Sequence, residues 1–302
     1  MYRVIVALVL LSSGIATGEP RIWTDVSGKF KIEAEFVALG DGEVTLRGTT
    51  GKTKTIPLEK LSAADRKLAA ELAAELAVAD KSKPTKEESI AVLEKLEGYF
   101  YDDDKKKLLL DGTDFTDAEL VYLDGMTGLK ELSLCGSKIT DAGLAHLEGM
   151  SRLEQLFLED TDVTDAGLVH LKRLTGLKEL SLCGTKITDA GLVHLKGLTG
   201  LEELSLQGTK ITGTGLGHLE GLTGLQLLNL FDTKVTDAGL VKLKEMTGLE
   251  ALHLSYTKIT DVGLVHLEGL VGLKGLNLDG TNVTVAGVEK LQATLPDCEI
   301  IH

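Results

Sequence analysis

Apolar and polar positions repeat with a fixed period of 24 residues over most of the chain. A leucine recurs at this spacing without insertion or deletion, at Leu129, Leu153, Leu177, Leu201, Leu225, Leu249 and Leu273. Units this short cannot bury an apolar face alone, so each must pack against its neighbours. The pattern predicts an extended repeat array that presents a surface.

The internal pattern of one unit predicts a strand followed by a helix. The unit at 175–198 reads TGLKELSLCGTKITDAGLVHLKGL. Leu180 and Leu182 alternate with polar residues, as in a strand with one buried side. Three leucines spaced three apart, beginning at Leu192, form the inward face of the predicted helix. Each unit is therefore expected to contribute one strand and one helix.

The region before the repeats has the alternation of a small β module. Apolar residues between Phe30 and Phe36 alternate with charged ones, and Gly40–Gly42 follows as a hairpin turn. Ser62 with Asp65 then predicts a helix start, and Thr85 with Glu88 predicts a second one through a capping box.

The first 18 residues have the pattern of a secretory signal peptide. Arg3 precedes an apolar run from Val4 to Leu11, which is too short to span a bilayer, and Ala16–Gly18 supplies small residues at a cleavage site. A buried N-terminal strand is the alternative interpretation. The pattern predicts cleavage before Glu19 and export to the periplasm, the cell surface or the medium, with no membrane insertion afterwards.

These patterns divide the chain into six segments. They are a signal peptide at 1–18, a β module at 19–72 with a following helix to about 80, a linker at 81–85, a cap helix at 86–105, repeats at 106–290, and a C-terminal cap at 291–302.

Charge and cysteine content narrow the classes of partner. The 302 residues include 46 Asp and Glu against 32 Lys and Arg, a formal net charge of -14. Nucleic acids and anionic membranes require clustered basic residues, so neither is expected as a partner. Cys135 and Cys183 lie two repeats apart, roughly 9–10 Å at the spacing of stacked strands. That separation exceeds the reach of a disulfide, so three free thiols are expected, Cys298 included.

The repeat resembles the leucine-rich repeat of the ribonuclease-inhibitor-like kind, L-x-x-L-x-L-x-x-T/N, over roughly residues 106–302. The match recurs at least seven times in register. The resemblance implies an α/β horseshoe whose concave side is lined by a parallel sheet.

The N-terminal module resembles the SLA1 homology domain 1 over about residues 20–72. The likeness is carried by Arg21–Asp25 (RIWTD), Gly28–Phe30 (GKF), Ala34–Phe36 (AEF), Asp41–Gly42 and Pro57–Ser62 (PLEKLS). The resemblance implies a small SH3-like barrel that binds short peptides, in eukaryotic endocytic adaptors those containing Asn-Pro-Phe. The whole arrangement looks like that of signal-bearing proteins with both domains from planctomycete-type bacteria.

Residues with catalytic or metal-binding chemistry mostly follow the repeat. Histidines recur on the predicted helices, where neighbouring helices are too far apart for two to share a zinc ion. Aspartates recur where helix capping and the helix dipole account for them. We therefore expect no catalytic residue, no metal site and no cofactor. The histidines are His146, His170, His194, His218 and His266, and the aspartates are Asp141, Asp165, Asp189, Asp237 and Asp261.

The candidate binding residues are those that depart from the repeat on the concave side. Phe157 and Phe231 interrupt a row of small or polar residues, and aromatic side chains are common anchors of interfaces. Tolerated surface residues on a drifting repeat are the alternative. The other candidates on this side are Glu131, Glu179, Glu203, Leu227, His253 and Tyr256, and those of the β module are Trp23, Arg47, Lys52 and Lys54. The three basic residues of the module form an edge that would face an acidic peptide, and solvated hairpin charges are the alternative interpretation.

The sequence thus predicts an exported, monomeric, non-enzymatic adaptor or scaffold that binds a protein or peptide. A surface protein that binds carbohydrate or cell wall is one alternative. A cytoplasmic adaptor of the endocytic or ubiquitin-linked type is the other, should residues 1–18 be retained.

Overall fold

The computed structural model describes residues 21–302, apart from positions 26, 28, 30, 41, 49–51, 83–84, 97, 113 and 125. The predicted signal peptide at 1–18 lies outside the described residues. The chain divides between Lys83 and Pro84 into two compact units.

The first unit contains an antiparallel sheet of neighbouring strands. Gly40 pairs with Glu43 across the predicted hairpin, and Gly42 has the positive φ of 77° that such a turn requires. The small all-β module predicted from the alternation is confirmed. In the described residues the strands are β1 (Arg21–Thr24), β2 (Lys31–Gly40), β3 (Glu43–Gly48) and β4 (Thr53–Pro57), paired in that order.

The core of this module forms around Trp23, which is 1% exposed. Its ring stacks on Phe36 with centroids 6.0 Å apart, and its indole Nε1 donates a hydrogen bond of 2.9 Å to the carbonyl oxygen of Ala34. That bond satisfies the polar atom of a buried tryptophan.

Helix α1 (Ala63–Ser82) begins where capping predicted. The hydroxyl of Ser62 accepts a hydrogen bond from the backbone nitrogen of Asp65, and the carboxylate of Asp65 accepts one from the backbone of Thr24. The cap therefore also joins the helix to β1. The helix continues two residues into the segment expected to be a linker, because the first residue that disfavours helix is the one before Pro84.

The second unit begins with helix α2 (Lys86–Lys95), which has the predicted capping box between Thr85 and Glu88. The helix is shorter than the cap expected over 86–105. The chain turns at Gly98, where a Cβ atom would lie 2.7 Å from the carbonyl oxygen of Leu93, and then enters a strand that the sequence did not reveal.

The repeat array forms one sheet with a three-residue strand per unit. The strand β5 (Tyr99–Phe100) is antiparallel to β6, and each following pair is parallel and in register. The predicted leucine-rich solenoid is confirmed. The remaining strands described are β6 (Lys107–Leu109), β7 (Glu131–Ser133), β8 (Gln155–Phe157), β9 (Glu179–Ser181), β10 (Glu203–Ser205), β11 (Leu227–Asn229), β12 (Ala251–His253), β13 (Gly275–Asn277) and β14 (Glu299–Ile301).

The segments opposite the strands are mostly 3-10 helices, not the α-helices expected. The leucine spacing of three is compatible with the 3.0 residues per turn of a 3-10 helix, but it does not decide the helix type, because the α-helical units at Leu240 and Leu264 have the same spacing. The 3-10 segments of the array are Glu119–Leu123, Gly143–Leu147, Gly167–Arg173, Gly191–His194 and Thr214–Leu219, and the later α-helices are α3 (Asp237–Leu240), α4 (Asp261–Leu264) and α5 (Val285–Thr294).

A continuous leucine core fills the space between strands and helical segments. The central leucine of each strand, such as Leu180, is fully buried, as is its partner Leu182. A buried hydroxyl closes each turn, for example Thr185, whose Oγ1 donates a 2.6 Å hydrogen bond to the carbonyl oxygen of Leu182. Every unit thus repeats the same internal packing, and the variation lies on the surface.

Candidate functional site: the strand face of the array

The strand face of the array consists of the side chains on either side of each central strand leucine, together with the second and third residues after each strand. Register pairing aligns these positions into rows across the sheet, so that Glu179 lies beside Gln155 on one side and Glu203 on the other. Residues distant in sequence become neighbours about 4.8 Å apart. On the strand face, the residues that depart from the repeat therefore form one continuous surface.

The row formed by the first residue of each strand is acidic over β7 to β10. Glu131 on β7 lies two strands away from Glu179 on β9, and Glu203 on β10 lies one strand away. Gln155 donates a 2.5 Å hydrogen bond to Glu179. Burial raises the pKa of Glu131, and the charge of Glu179 raises it further. Burial likewise raises the pKa of Glu203, again with a contribution from Glu179. The predicted acidic residues do lie together, and they repel one another.

Lys107 offsets the negative charge of this row only at its start. Its Nζ lies 3.1 Å from the Oε2 of Glu131. Glu203 has no ion-pair partner among the described residues, and the row continues as Leu227, Ala251 and Gly275. Charge is thus concentrated on the first half of the strand face.

A trough of about 500 Å³ lies on the strand face between β8 and β11. Phe157 is at one end and Asn229 is at the other. The floor consists of small residues, and the carboxylates of Glu159, Asp160 and Glu179 line the sides. None of the described residues that line it is cationic.

Asp160 reaches the trough through an unusual backbone. Its φ is 53°, in a row where most repeats have glycine with a similar angle, such as Gly136 and Gly184. A Cβ atom at Gly184 would lie 2.1 Å from the Oδ1 of Asp160, so this carboxylate extends over the neighbouring glycine. The sequence analysis missed Asp160, although its substitution for glycine was a readable signal.

Phe231 and Tyr256 form an aromatic pair on the second half of the strand face. Their ring centroids are 5.2 Å apart in an edge-to-face arrangement, and Tyr256 remains 56% exposed. Tyr256 has a φ of 57°, a left-handed backbone that is strained for a bulky side chain. Its ring lies over Gly280, which has no side chain to obstruct it. His253 and Leu227 are half-buried on the two strands beside this pair.

The hydroxyl of Ser255 is a polar group that the sequence analysis did not single out. The residue is 1% exposed, and its Oγ has no hydrogen-bond partner among the described residues. It lies directly before Tyr256 in the chain.

The β module has a separate cleft of about 520 Å³ with a mainly apolar lining. Trp23 and Lys54 line it, together with Ile32, Ile56 and Lys60. Arg47 and Lys52, the other predicted residues of the module, are not among the lining residues. The structure adds Lys31 and Lys60 to Lys54, giving three lysines around an apolar floor, and Asp25 is the acidic residue among those that line the cleft.

The repeated aspartates have a different role from the helix capping that was expected. Asp165 accepts hydrogen bonds from the backbone nitrogen and the hydroxyl of Thr188 in the next repeat, at 2.8 and 2.6 Å. We call this pair of bonds the Asp–Thr link. The glycine three residues after the threonine makes room for it, since a Cβ atom at Gly191 would lie 2.4 Å from the same carboxylate.

The repeated histidines lie away from the strand face, and two of them pair with acids of the preceding repeat. The Nδ1 of His146 is 3.0 Å from Asp124, and that of His170 is 2.6 Å from Glu148. Among the described residues, no cluster of three or more potential metal ligands is found. The three cysteines are free thiols, as expected. No helix in the described part of the chain is both long and apolar enough to cross a membrane.

Comparison with known proteins assigns families to both units. The family model of the SLA1 homology domain 1 matches residues 16–76, and two leucine-rich-repeat models match residues 175–235 and 246–267. No curated protein matches the chain. Domains of these two kinds suggest protein-interaction modules and are typically non-catalytic.

Solved structures of bacterial repeat proteins are similar to the array. An internalin (InlF) of Listeria monocytogenes has 22% identity over 60% of this chain and 56% of its own, with a TM-score of 0.46. A leucine-rich-repeat protein of Leptospira interrogans has 24% identity over 60% and 45%, with a TM-score of 0.49. Internalin C2 of Listeria monocytogenes has 28% identity over 62% and 74%, with a TM-score of 0.47. The chain thus spans about half the length of the first two. With the family models and the architecture described above, the chain is an SLA1 homology domain 1 followed by leucine-rich repeats.

Proposed function

We propose that this chain is an exported, non-enzymatic adaptor that binds a protein or peptide on the strand face of its repeat array. One observation carries the proposal: the strand face departs from the repeat with half-buried or exposed aromatic and acidic residues, while the rest of each unit stays nearly uniform. Aromatic side chains are typical anchors of interfaces, and nothing in the packing of the repeat requires them there.

The dimensions of the strand face suit a macromolecular partner. The nine parallel strands β6 to β14 are separated by eight spacings of roughly 4.8 Å and so extend about 38 Å, enough for a standard interface of about 800 Å² per partner. Phe157 lies on β8 and Phe231 follows β11, so the two predicted anchors are about 14 Å apart across three strand spacings. An extended segment or a small domain could contact both.

A non-enzymatic role is supported by what the repeated acidic groups do. The aspartates that recur in the array, such as Asp165, are occupied by Asp–Thr links. The acidic and aromatic residues of the strand face would serve as a binding surface.

The cleft of the β module is proposed as a second peptide-binding surface. Its apolar floor of Ile32 and Ile56 would receive an apolar side chain, and the lysines at its rim would pair with a neighbouring carboxylate of the same peptide. The predicted Lys54 belongs to this rim, whereas Arg47 and Lys52 do not line the cleft.

Export remains a proposal that rests on residues 1–18. Mass spectrometry of the N-terminus of the protein recovered from its native host would test it. A mature chain that begins at Glu19 supports export, and a retained Met1 would favour the cytoplasmic adaptor.

Carbohydrate binding is a second candidate that the Phe231–Tyr256 pair favours. An exposed tyrosine beside the amides Asn229 and Asn277 offers a stacking surface and hydrogen-bond partners for a sugar ring. The two candidates are distinguished by whether the molecule that the strand face retains is a protein or a carbohydrate.

The primary experiment is an affinity capture from envelope extract with three baits. They are the wild-type chain, a Phe157→Ala/Phe231→Ala variant and a Lys54→Glu/Lys60→Glu variant. A protein retained by the wild type and by the lysine variant but lost with the aromatic variant supports the strand face. A protein lost only with the lysine variant transfers the function to the β module.

Two further outcomes overturn the proposal for the strand face. Equal retention by all three baits would mean that neither surface binds the partner. An absence of captured protein, together with retention of the wild type on a cell-wall polysaccharide column, would replace protein binding by glycan binding. Circular dichroism of each bait controls for folding.

A further inference from the structure

We propose that the trough between β8 and β11 is a binding site for an arginine side chain of an extended peptide segment. This inference rests on the proposed function, since it specifies what part of a partner the strand face recognises. It follows from the trough's charge, its aromatic wall and its small-residue floor.

The charge of the trough is uniformly negative. Glu159, Asp160 and Glu179 all line it, and none of the described lining residues carries a positive charge. The side chain of Asp160 has no hydrogen-bond or ion-pair partner among the described residues. Glu159 accepts one bond, from Ser181 at 2.8 Å, and Glu179 accepts one from Gln155. A carboxylate can accept about four hydrogen bonds, so most of the acceptor capacity is unused.

The shape of the trough favours a flat cation. Phe157 stands at one end, and its neighbours in the same row, Ser133 and Ser181, are small and leave its ring faces accessible. A guanidinium group can lie against a phenyl ring and at the same time donate hydrogen bonds in its own plane to carboxylates. An ammonium group lacks this planar arrangement of donors, so arginine suits the site better than lysine.

The floor of the trough allows a peptide to approach closely. Gly184 and Gly208, with Ser205, expose little side chain there. The volume of about 500 Å³ is within the range of about 300–1,000 Å³ usual for specific ligand sites. The open strand face on both sides accommodates the residues that flank the arginine.

The backbone at Asp160 supports a role for its carboxylate beyond packing. Glycine would adopt the φ of 53° without strain, as it does in most other repeats. Aspartate at this position instead places a charge over Gly184, on the trough floor.

The test uses the full chain and three synthetic pentapeptides with blocked ends. They are Gly-Ser-Arg-Ser-Gly, the same peptide with citrulline in place of arginine, and the same peptide with lysine. Citrulline has nearly the same shape as arginine but no charge. Dissociation constants are measured by chemical-shift titration at low ionic strength, because exposed charge pairs are screened by salt.

The arginine peptide is expected to bind at least tenfold more tightly than the citrulline peptide, with lysine between them. In an Asp160→Asn/Glu179→Gln variant this preference should disappear. Phe157→Leu should weaken arginine binding three- to fivefold. The matched control is Glu220→Gln, which removes an exposed carboxylate from the opposite side of the array. That control should leave all three constants unchanged.

Equal binding of the arginine and citrulline peptides would overturn the inference, as would a preference that survives in the double variant. Either result leaves the proposed function intact if the aromatic variant still loses a captured protein. An arginine preference without any captured protein would instead support the site and contradict the wider adaptor role. Equal affinity for free arginine amide and for the pentapeptide would replace the peptide ligand by a small cation.

Discussion

The strand face differs from the junctions between units, where the Asp–Thr links lie, in how closely its residues follow the repeat. At the junctions, the Asp–Thr link recurs with nearly constant geometry, for example at Asp141–Thr164 and Asp237–Thr260. On the strand face, aligned positions change from Glu203 to Leu227 between adjacent strands. Residues that recur maintain the junction between units, whereas residues that change are free to specify a partner.

The sharpest way to test this difference is to alter a recurring core residue. Leu180→Ala should destabilise the array by about 2–5 kcal/mol, because it leaves a cavity in a fully packed core. Gln207→Ala on the strand face should change stability by no more than about 0.5 kcal/mol, as is usual for exposed positions. Urea unfolding followed by circular dichroism measures both. Similar effects of the two substitutions would contradict the division between conserved packing and variable surface within the repeat.

The Asp–Thr link should have an intermediate effect. Asp165→Ala removes two hydrogen bonds to Thr188, and the expected loss is about 1–3 kcal/mol. Asp162→Ala is a suitable control, since Asp162 forms only an exposed ion pair with Lys186. Such pairs contribute about 0–1 kcal/mol. If both variants unfold at the same urea concentration, the link does not stabilise the junction.

Replacing Asp160 by glycine should change the stability of the fold and the affinity for the peptide in opposite directions. Asp160→Gly relieves the left-handed backbone and is expected to stabilise the fold by up to about 1 kcal/mol. The same substitution removes a carboxylate from the trough, so affinity for the arginine peptide should fall. Thermal unfolding and peptide titration of one sample give both values. A variant that is less stable yet binds unchanged would show that Asp160 is structural.

The smallest effect concerns the titration of the acidic row. In Glu179→Gln, the pKa of Glu131 and Glu203 should fall toward the ordinary value of 4.5, because the repelling charge is gone. Their raised pKa means that the wild type loses stability as pH rises from that value through the raised pKa. The variant should therefore lose less over this interval. Carbon-detected NMR titration of the carboxylates would follow the shift, and unchanged values would exclude coupling through Glu179.

Much of the fold could be predicted from the sequence because the repeat is strict. The 24-residue period predicted the repeat array and the residues of the strand face, the resemblance to leucine-rich repeats implied the parallel sheet, and local capping patterns located two helix starts. The helix type was not predictable from the leucine spacing, because leucines three residues apart occur both from Leu192, in a 3-10 segment, and from Leu240, in α3. The partner of each repeated aspartate lies 23 residues away, and no local pattern indicates such a contact.

The candidate site was less predictable because its features arise between repeats. The aromatic pair of Phe231 and Tyr256 joins residues 25 positions apart in the chain. Asp160 could have been recognised as an aspartate in a glycine row. In the β module, the three lysines around the cleft, Lys31, Lys54 and Lys60, come from different elements, and spacing along one hairpin indicated only Lys54.

The Asp–Thr link also bears on how such a chain can grow. Since most junctions use the same two hydrogen bonds, a duplicated unit inserts between existing ones without needing a new interface. The near-identity of 127–144 and 175–192, which differ only at Ser137 and Thr185, is what one such duplication would leave. The junction at Gly213 is different: glycine replaces the aspartate there, and its φ is 104° with Gly239 packed against it. No carboxylate at position 213 can bond Thr236, so this junction lacks the Asp–Thr link and instead packs two glycines against each other. A duplication that spans it would multiply a junction without those two hydrogen bonds.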